Sequence, residues 1–177
     1  MAVSDERAVA RFEAVVLPHL DAAYNLARWL TRDEHDASDV VQESMVRALR
    51  GFETYHGGDG RAWMLSVVRN TCYTWLRKNR AAAPEPLPDD LIEADQGPLS
   101  DPAARLVQAA DAERLRCAID QLPVEFREIF VLRELEGLSY KEIGQVAELP
   151  IGTVMSRLSR ARRRLQESLA EPNEGET

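Results

Sequence analysis

The chain has 177 residues, room for one ordinary domain or two small helical ones, and is 45% hydrophobic but only 6% aromatic, which points to real but modest cores. A formal net charge of −8 excludes a protein that coats nucleic acid unaided. That charge is uneven: residues 1–80 carry 11 acidic and 11 basic side chains, residues 81–112 carry 7 and 1, and residues 113–177 carry 12 and 10.

The first residues lack the basic flank and apolar run of a signal peptide, and no apolar stretch approaches the ~20 residues that span a bilayer. Membrane insertion is therefore not expected. Cys72 and Cys117 lie far apart and form no CxxC pair, so neither a disulfide framework nor a zinc site is expected and a reducing cytosol is the default compartment.

From about Ala8 to Leu30, apolar residues recur at helical spacing (Phe12, Val15, Val16, Leu20, Ala23, Ala27, Leu30). Thr31 with Glu34, or Asp33 with Asp36, fits the cap of a second helix carrying Val40, Val41, Met45, Val46 and Leu49 and ending near Gly51. A Gly-rich loop, Tyr55-His56-Gly57-Gly58-Asp59-Gly60, leads into a third helix from about Arg61 to Arg80.

Residues 81–112 gather Pro84, Pro86, Pro88, Pro98 and Pro102 among acidic residues with few large apolar ones, and read as an extended or disordered linker. Helical patterning resumes with Leu115, Ile119 and Leu122. Pro123 opens a helix that buries Phe126, Ile129, Phe130 and Val131 or Leu132 and stops at Gly137. No sustained period-two alternation appears. The expected fold is all-α: two small helical domains, residues 1–80 and 113–177, joined by the acidic Pro-containing linker 81–112.

Ser139-Tyr140-Lys141-Glu142 forms a capping box for a short helix with Ile143, Val146 and Ala147 inward, and Gly144 offers a small surface where another helix can cross. Thr153 can cap the next helix, in which Val154, Leu158, Ala161 and Leu165 form one buried stripe. Outside that stripe lie Met155, Ser156, Arg157, Ser159, Arg160, Arg162, Arg163 and Arg164. Two short helices with a tight turn, the second arginine-rich, describe a helix-turn-helix meeting DNA phosphates. A solvated basic helix, or one pairing with an acidic partner, is the plainer alternative.

The run Val131-Leu132-Arg133-Glu134-Leu135-Glu136-Gly137-Leu138-Ser139-Tyr140, with Pro150-Ile151-Gly152-Thr153-Val154 and Ser156-Arg157-Leu158-Ser159-Arg160-Ala161-Arg162, resembles region 4 of bacterial sigma-70-family sigma factors, and most of all their extracytoplasmic-function (ECF) group. Asp39-Val40-Val41-Gln42-Glu43, and Trp63-Met64-Leu65 with Val68-Arg69-Asn70-Thr71, independently resemble region 2 of that group.

The resemblance implies a factor that binds core RNA polymerase and directs promoter recognition, melting and transcription initiation without enzymatic activity or cofactor. It places Asp39, Gln42, Glu43 and Arg47 against the polymerase β′ clamp; a solvated face with a Glu43–Arg47 pair is the alternative. It places Tyr55, His56, Arg69 and Asn70 at the melted −10 element, with Arg77, Lys78 and Arg80 towards phosphates. An ordinary surface turn is the alternative for His56 and its glycines, and Trp63 is expected to pack in the core. It places Met155, Ser156, Ser159 and Arg160 towards −35 bases, with Arg157, Arg162, Arg163 and Arg164 nearer phosphates. Methionine at 155, where the group commonly has a base, cannot contact guanine bidentately. Further implied partners are the polymerase β flap, promoter DNA and an anti-sigma factor.

A stand-alone helix-turn-helix regulator is the first rival reading. An enzyme is the second, but no P-loop, HExxH or GxSxG motif appears, and His19, His35 and His56 are scattered among different elements.

Overall fold

A computed structural model describes residues 2–79 and 102–170, with side chains described from residue 6 in the first segment and 108 in the second. All regular structure among these residues is helical. The expected linker residues 81–101, together with Arg80 and the acidic residues Glu171, Glu174 and Glu176, lie outside the described residues.

The first half contains α1 (Ala2–Val16), α2 (Leu20–Thr31), α3 (Glu34–Gly51) and α4 (Gly60–Asn79). The helical stretch expected from Ala8 to Leu30 is two helices, separated by a 3₁₀ turn at Leu17–His19. Pro18 explains the break, because it lacks an N–H and its ring clashes with the preceding turn. Of the two possible caps for α3, Asp33 holds the position: its carboxylate accepts from the Asp36 N–H at 3.0 Å. Thr31 instead turns inward and donates to the Ala27 carbonyl at 2.8 Å.

The stripe that α3 buries also differs from expectation. Ala37, Val40, Ser44 and Ala48 face the core, Val41 and Met45 are half-buried, and Val46 and Leu49 are exposed. Small side chains let α3 approach α2 and α4 closely. Ser44 is accommodated by donating to the Val40 carbonyl at 2.6 Å. Gly60 serves a similar end where α4 begins: an added Cβ would lie 2.9 Å from a Val15 methyl and 3.2 Å from the Val15 carbonyl oxygen.

The second half contains α5 (Pro102–Asp120), α6 (Val124–Phe130), α7 (Tyr140–Ala147) and α8 (Ile151–Ala170). Helix α5 reaches back to Pro102, into the stretch expected as linker to residue 112; proline is well suited to a first helical position. Helix α6 continues as a wider π-type turn over Val131–Leu135 and ends at Gly137, whose φ of +70° suits glycine. Phe126 and Phe130 are only half-buried. Arg127 and Glu128 are buried in their place, with Ile129, Val131 and Leu132.

The two halves are not separate beads. Helix α4 packs along α7 and α2 against α6. One apolar core runs from Phe12, Leu26, Leu30, Met64, Leu65 and Val68 of the first half into Ile129, Leu132, Ile143 and Leu158 of the second. A smaller cluster of Ala118, Ile119, Leu122, Ala161 and Leu165 joins α5 to α8. Trp29 packs on both clusters.

Candidate polymerase and promoter interfaces

Opposite its buried stripe, α3 presents Asp39, Gln42 and Glu43 to solvent. Glu43 accepts from the Arg47 guanidinium at 2.8 Å, and that hydrogen bond holds its carboxyl below the ordinary glutamate range. Positions 39, 42, 43, 46 and 49 repeat at helical spacing, so exposed Val46 and Leu49 extend the same face. Counting valine and leucine as core residues hid them. The face therefore combines charged residues with two exposed apolar ones.

Beyond α3, the loop from Tyr55 wraps an aromatic cluster. The Tyr55 ring stacks on Phe52 at 5.7 Å, Trp63 lies 5.2 Å from Tyr55, and the Tyr55 hydroxyl donates to the Gly58 carbonyl at 2.8 Å. Tyr55 and Trp63 are half-buried, while His56 is exposed. Asp59 closes the loop by accepting from the N–H groups of Arg61 and Ala62 at 3.0 and 3.2 Å.

Farther along α4, Asn70, Arg77 and Lys78 are exposed. Arg69 is not free. It donates to Glu128 of α6 through Nε at 2.8 Å and Nη2 at 3.2 Å, and its guanidinium lies over the Tyr73 ring at 4.4 Å. Burial pulls the Arg69 guanidinium down, but the hydrogen bond and charge of Glu128 outweigh it and leave its pKa raised. Burial beside Glu128 pushes the Tyr73 hydroxyl up, and the same surroundings push the buried Cys72 thiol to about 12.

The helix-turn-helix opens on the expected cap. Ser139 accepts from the Glu142 N–H at 3.2 Å, and Glu142 accepts from the Ser139 N–H at 2.6 Å, completing the capping box. Gly144 does not serve a helix crossing. A Cβ there would lie 2.9 Å from the Leu149 carbonyl oxygen, so glycine lets the turn fold back. Thr153 is not the cap of α8 but sits inside its first turn, where its N–H and that of Val154 donate to the Pro150 carbonyl at 3.0 and 3.1 Å.

Val154, Leu158, Ala161 and Leu165 form the buried stripe of α8. On the outer side Met155, Ser156, Ser159, Arg160 and Arg163 are exposed. Arg162 pairs with Glu134, and the Arg157 guanidinium lies 3.8 Å from the Glu128 carboxylate. Glu128 is the participant the sequence reading missed. Its signal is a charged pair, Arg127-Glu128, inside the apolar run Phe126–Leu132, where a helix has no solvent face left to offer both charges.

Among the described residues, no group of three or more His, Cys, Asp and Glu is placed to hold a metal ion, and no helix is long and apolar enough to cross a membrane.

A capped helix, a tight turn and a second helix with exposed serines and arginines place this chain among helix-turn-helix DNA-binding proteins. It matches the Sigma-70 region 2 family over residues 15–82 and the Sigma-70, region 4 family over residues 112–165. The chain belongs to the ECF sigma factors of the sigma-70 family. It is 34% identical over 171 residues to the ECF RNA polymerase sigma factor SigE of Mycolicibacterium smegmatis, covering 96% of this chain and 65% of that protein's length. It is 31% identical over 176 residues to the RNA polymerase sigma-H factor of Pseudomonas aeruginosa, covering 93% and 88%. In structure it is similar to the sigma factor RpoE of Bartonella quintana, solved with the anti-sigma factor NepR: TM-score 0.74, 27% identity, 92% of this chain and 99% of that one. CnrH, solved with the cytosolic domain of CnrY, gives a TM-score of 0.59 at 26% identity over 89% and 86%.

Proposed function

We propose that this chain is a cytoplasmic promoter-specificity subunit that acts by binding alone, without catalysis. Asp39, Gln42, Glu43 and Arg47, with exposed Val46 and Leu49, dock on the β′ clamp of core RNA polymerase, and the second half meets the β flap. Tyr55, His56, Arg69 and Asn70 engage the −10 element, with Arg77 and Lys78 on phosphates. Met155, Ser156, Ser159 and Arg160 face the −35 bases, with Arg157, Arg162 and Arg163 beside the backbone. The observation that carries the reading is the pairing, in one chain, of an exposed charged face on α3 with an exposed serine and arginine face on α8.

RpoE of Bartonella quintana, solved with the anti-sigma factor NepR, aligns with 92% of this chain, which supports an anti-sigma partner here as well. The test is run-off transcription from a genomic promoter library with core polymerase, with and without the chain. Discrete new start sites that depend on the chain are expected. No such transcripts, together with no copurification of core subunits, would favour the stand-alone regulator.

A further inference from the structure

Helix α8 changes chemistry along its length. Its buried stripe is Val154, Leu158, Ala161 and Leu165, yet two further large apolar side chains near its start lie outside that stripe. Ile151 is 49% exposed and Met155 52%. Residues four apart on a helix are neighbours, so the two form one apolar patch in solvent. Residues 151–156 carry no charged side chain, and the exposed arginines Arg160 and Arg163 come one to two turns later. Ser156, beside Met155, donates its hydroxyl proton to the Thr153 carbonyl at 3.1 Å, which leaves its oxygen as an acceptor.

That composition selects a base. In a helix-turn-helix the first residues of the second helix meet base edges. Guanine presents only acceptors in the major groove and is read by the forked donors of arginine, which this end of α8 lacks. Thymine presents a C5 methyl, the one apolar group that an unmodified base pair offers there. An unbranched, polarisable thioether adapts its shape to such a group, and the contact removes both from water. The adenine paired with that thymine presents an amino donor, which the Ser156 oxygen can accept.

We infer that Met155, with Ile151 at its flank, is a thymine-reading residue. The chain selects an A·T pair, identified by its methyl group, at the part of the −35 element that lies under the first turns of α8. The inference rests on the reading of α8 as the −35 helix.

The test uses holoenzyme, reconstituted from core polymerase and the full chain, and a duplex library randomised upstream of the transcription start. Selected −35 elements should share a thymine. Replacing it by deoxyuridine removes the methyl and nothing else, and should weaken binding on the order of fourfold, the effect of burying one methyl group. Met155→Ala should lose both the selection of thymine and the sensitivity to deoxyuridine, with helicity and capture of core unchanged because the side chain is exposed. Met155→Arg should select guanine at the same position. Deoxyuridine bound as tightly as thymine at every selected position overturns the inference, and so does a Met155→Ala holoenzyme that keeps the deoxyuridine loss. A −35 segment selected without any base preference removes the reading of α8, and the inference with it. A base preference that ignores the methyl removes the inference alone and leaves the apolar patch to a partner protein.

Discussion

Arg127 of α6 donates to the main-chain carbonyl of Trp29 in α2 at 3.0 Å and to that of Leu122 at 3.0 Å, adding a guanidinium link to the apolar core that the two halves share. Burial, and then the neighbouring Arg32 charge, pull this guanidinium down to about 10, so the folded chain bears the cost of a confined charge at neutral pH. Arg127→Ala strands two carbonyls and leaves a void, and should lower stability by about 2–4 kcal/mol in urea titrations. Arg127→Met fills the volume without a charge to desolvate and should lower it by distinctly less. Equal losses in both variants would show that the two lost hydrogen bonds, not the void, set the effect.

On α3, Asp39→Ala with Glu43→Ala should weaken capture of core polymerase while leaving helicity unchanged. The Glu43–Arg47 pair is exposed and screened by solvent, so its loss should leave stability nearly unchanged. Full affinity of the double variant in a pull-down would remove this face from the docking surface. Val46→Ser tests the apolar part of the same face and should weaken capture without loosening the core, since Val46 is exposed.

Arg160 and Arg163 should separate reading from positioning. Arg160→Ala should cost roughly 1–3 kcal/mol at a matched −35 element and relax preference at one base pair. Arg163, largely exposed and 3.9 Å from Glu167, should act on every sequence alike, its removal reducing the salt slope by about one unit. Competition titrations of holoenzyme against duplexes varied base by base measure both. Identical sequence-independent losses would deny Arg160 a base.

The capping box gives α7 a pH dependence of known sign. The Ser139 N–H holds the Glu142 carboxyl below its ordinary value of 4.5. A carboxylate with a depressed folded pKa adds stability that is fully present above the unfolded value and is lost as pH falls through the folded one. The stability difference between the native chain and Glu142→Gln should therefore be largest above pH 4.5 and shrink below it. Denaturant melts from pH 3.5 to 7 read it directly. A constant difference across that range would mean that the charge contributes nothing to the cap.

Much of this was legible in the chain itself. The α8 stripe follows from apolar residues at 154, 158, 161 and 165, and the cap of α7 from Ser139 and Glu142, because both depend on local spacing alone. Contact between the halves was not legible. Periodicity reveals that a helix has an apolar face but not which helix will cover it, so the second half's face was assigned to its own bundle. Arg127 and Glu128 were passed over because their burial depends on partners about 60 to 100 residues away, Arg69 and Trp29. Val46 and Leu49 failed in the opposite sense: their apolarity, read as core, serves the surface, while Ala37, Ser44 and Ala48 line the interior.

The apolar core that runs unbroken from Phe12 to Leu158 has a calorimetric consequence. Two halves sharing one interior should melt as one cooperative unit, giving a single transition whose calorimetric and van't Hoff enthalpies agree. Parting the halves hydrates apolar surface that was dry, and so carries a positive heat-capacity increment while leaving secondary structure intact.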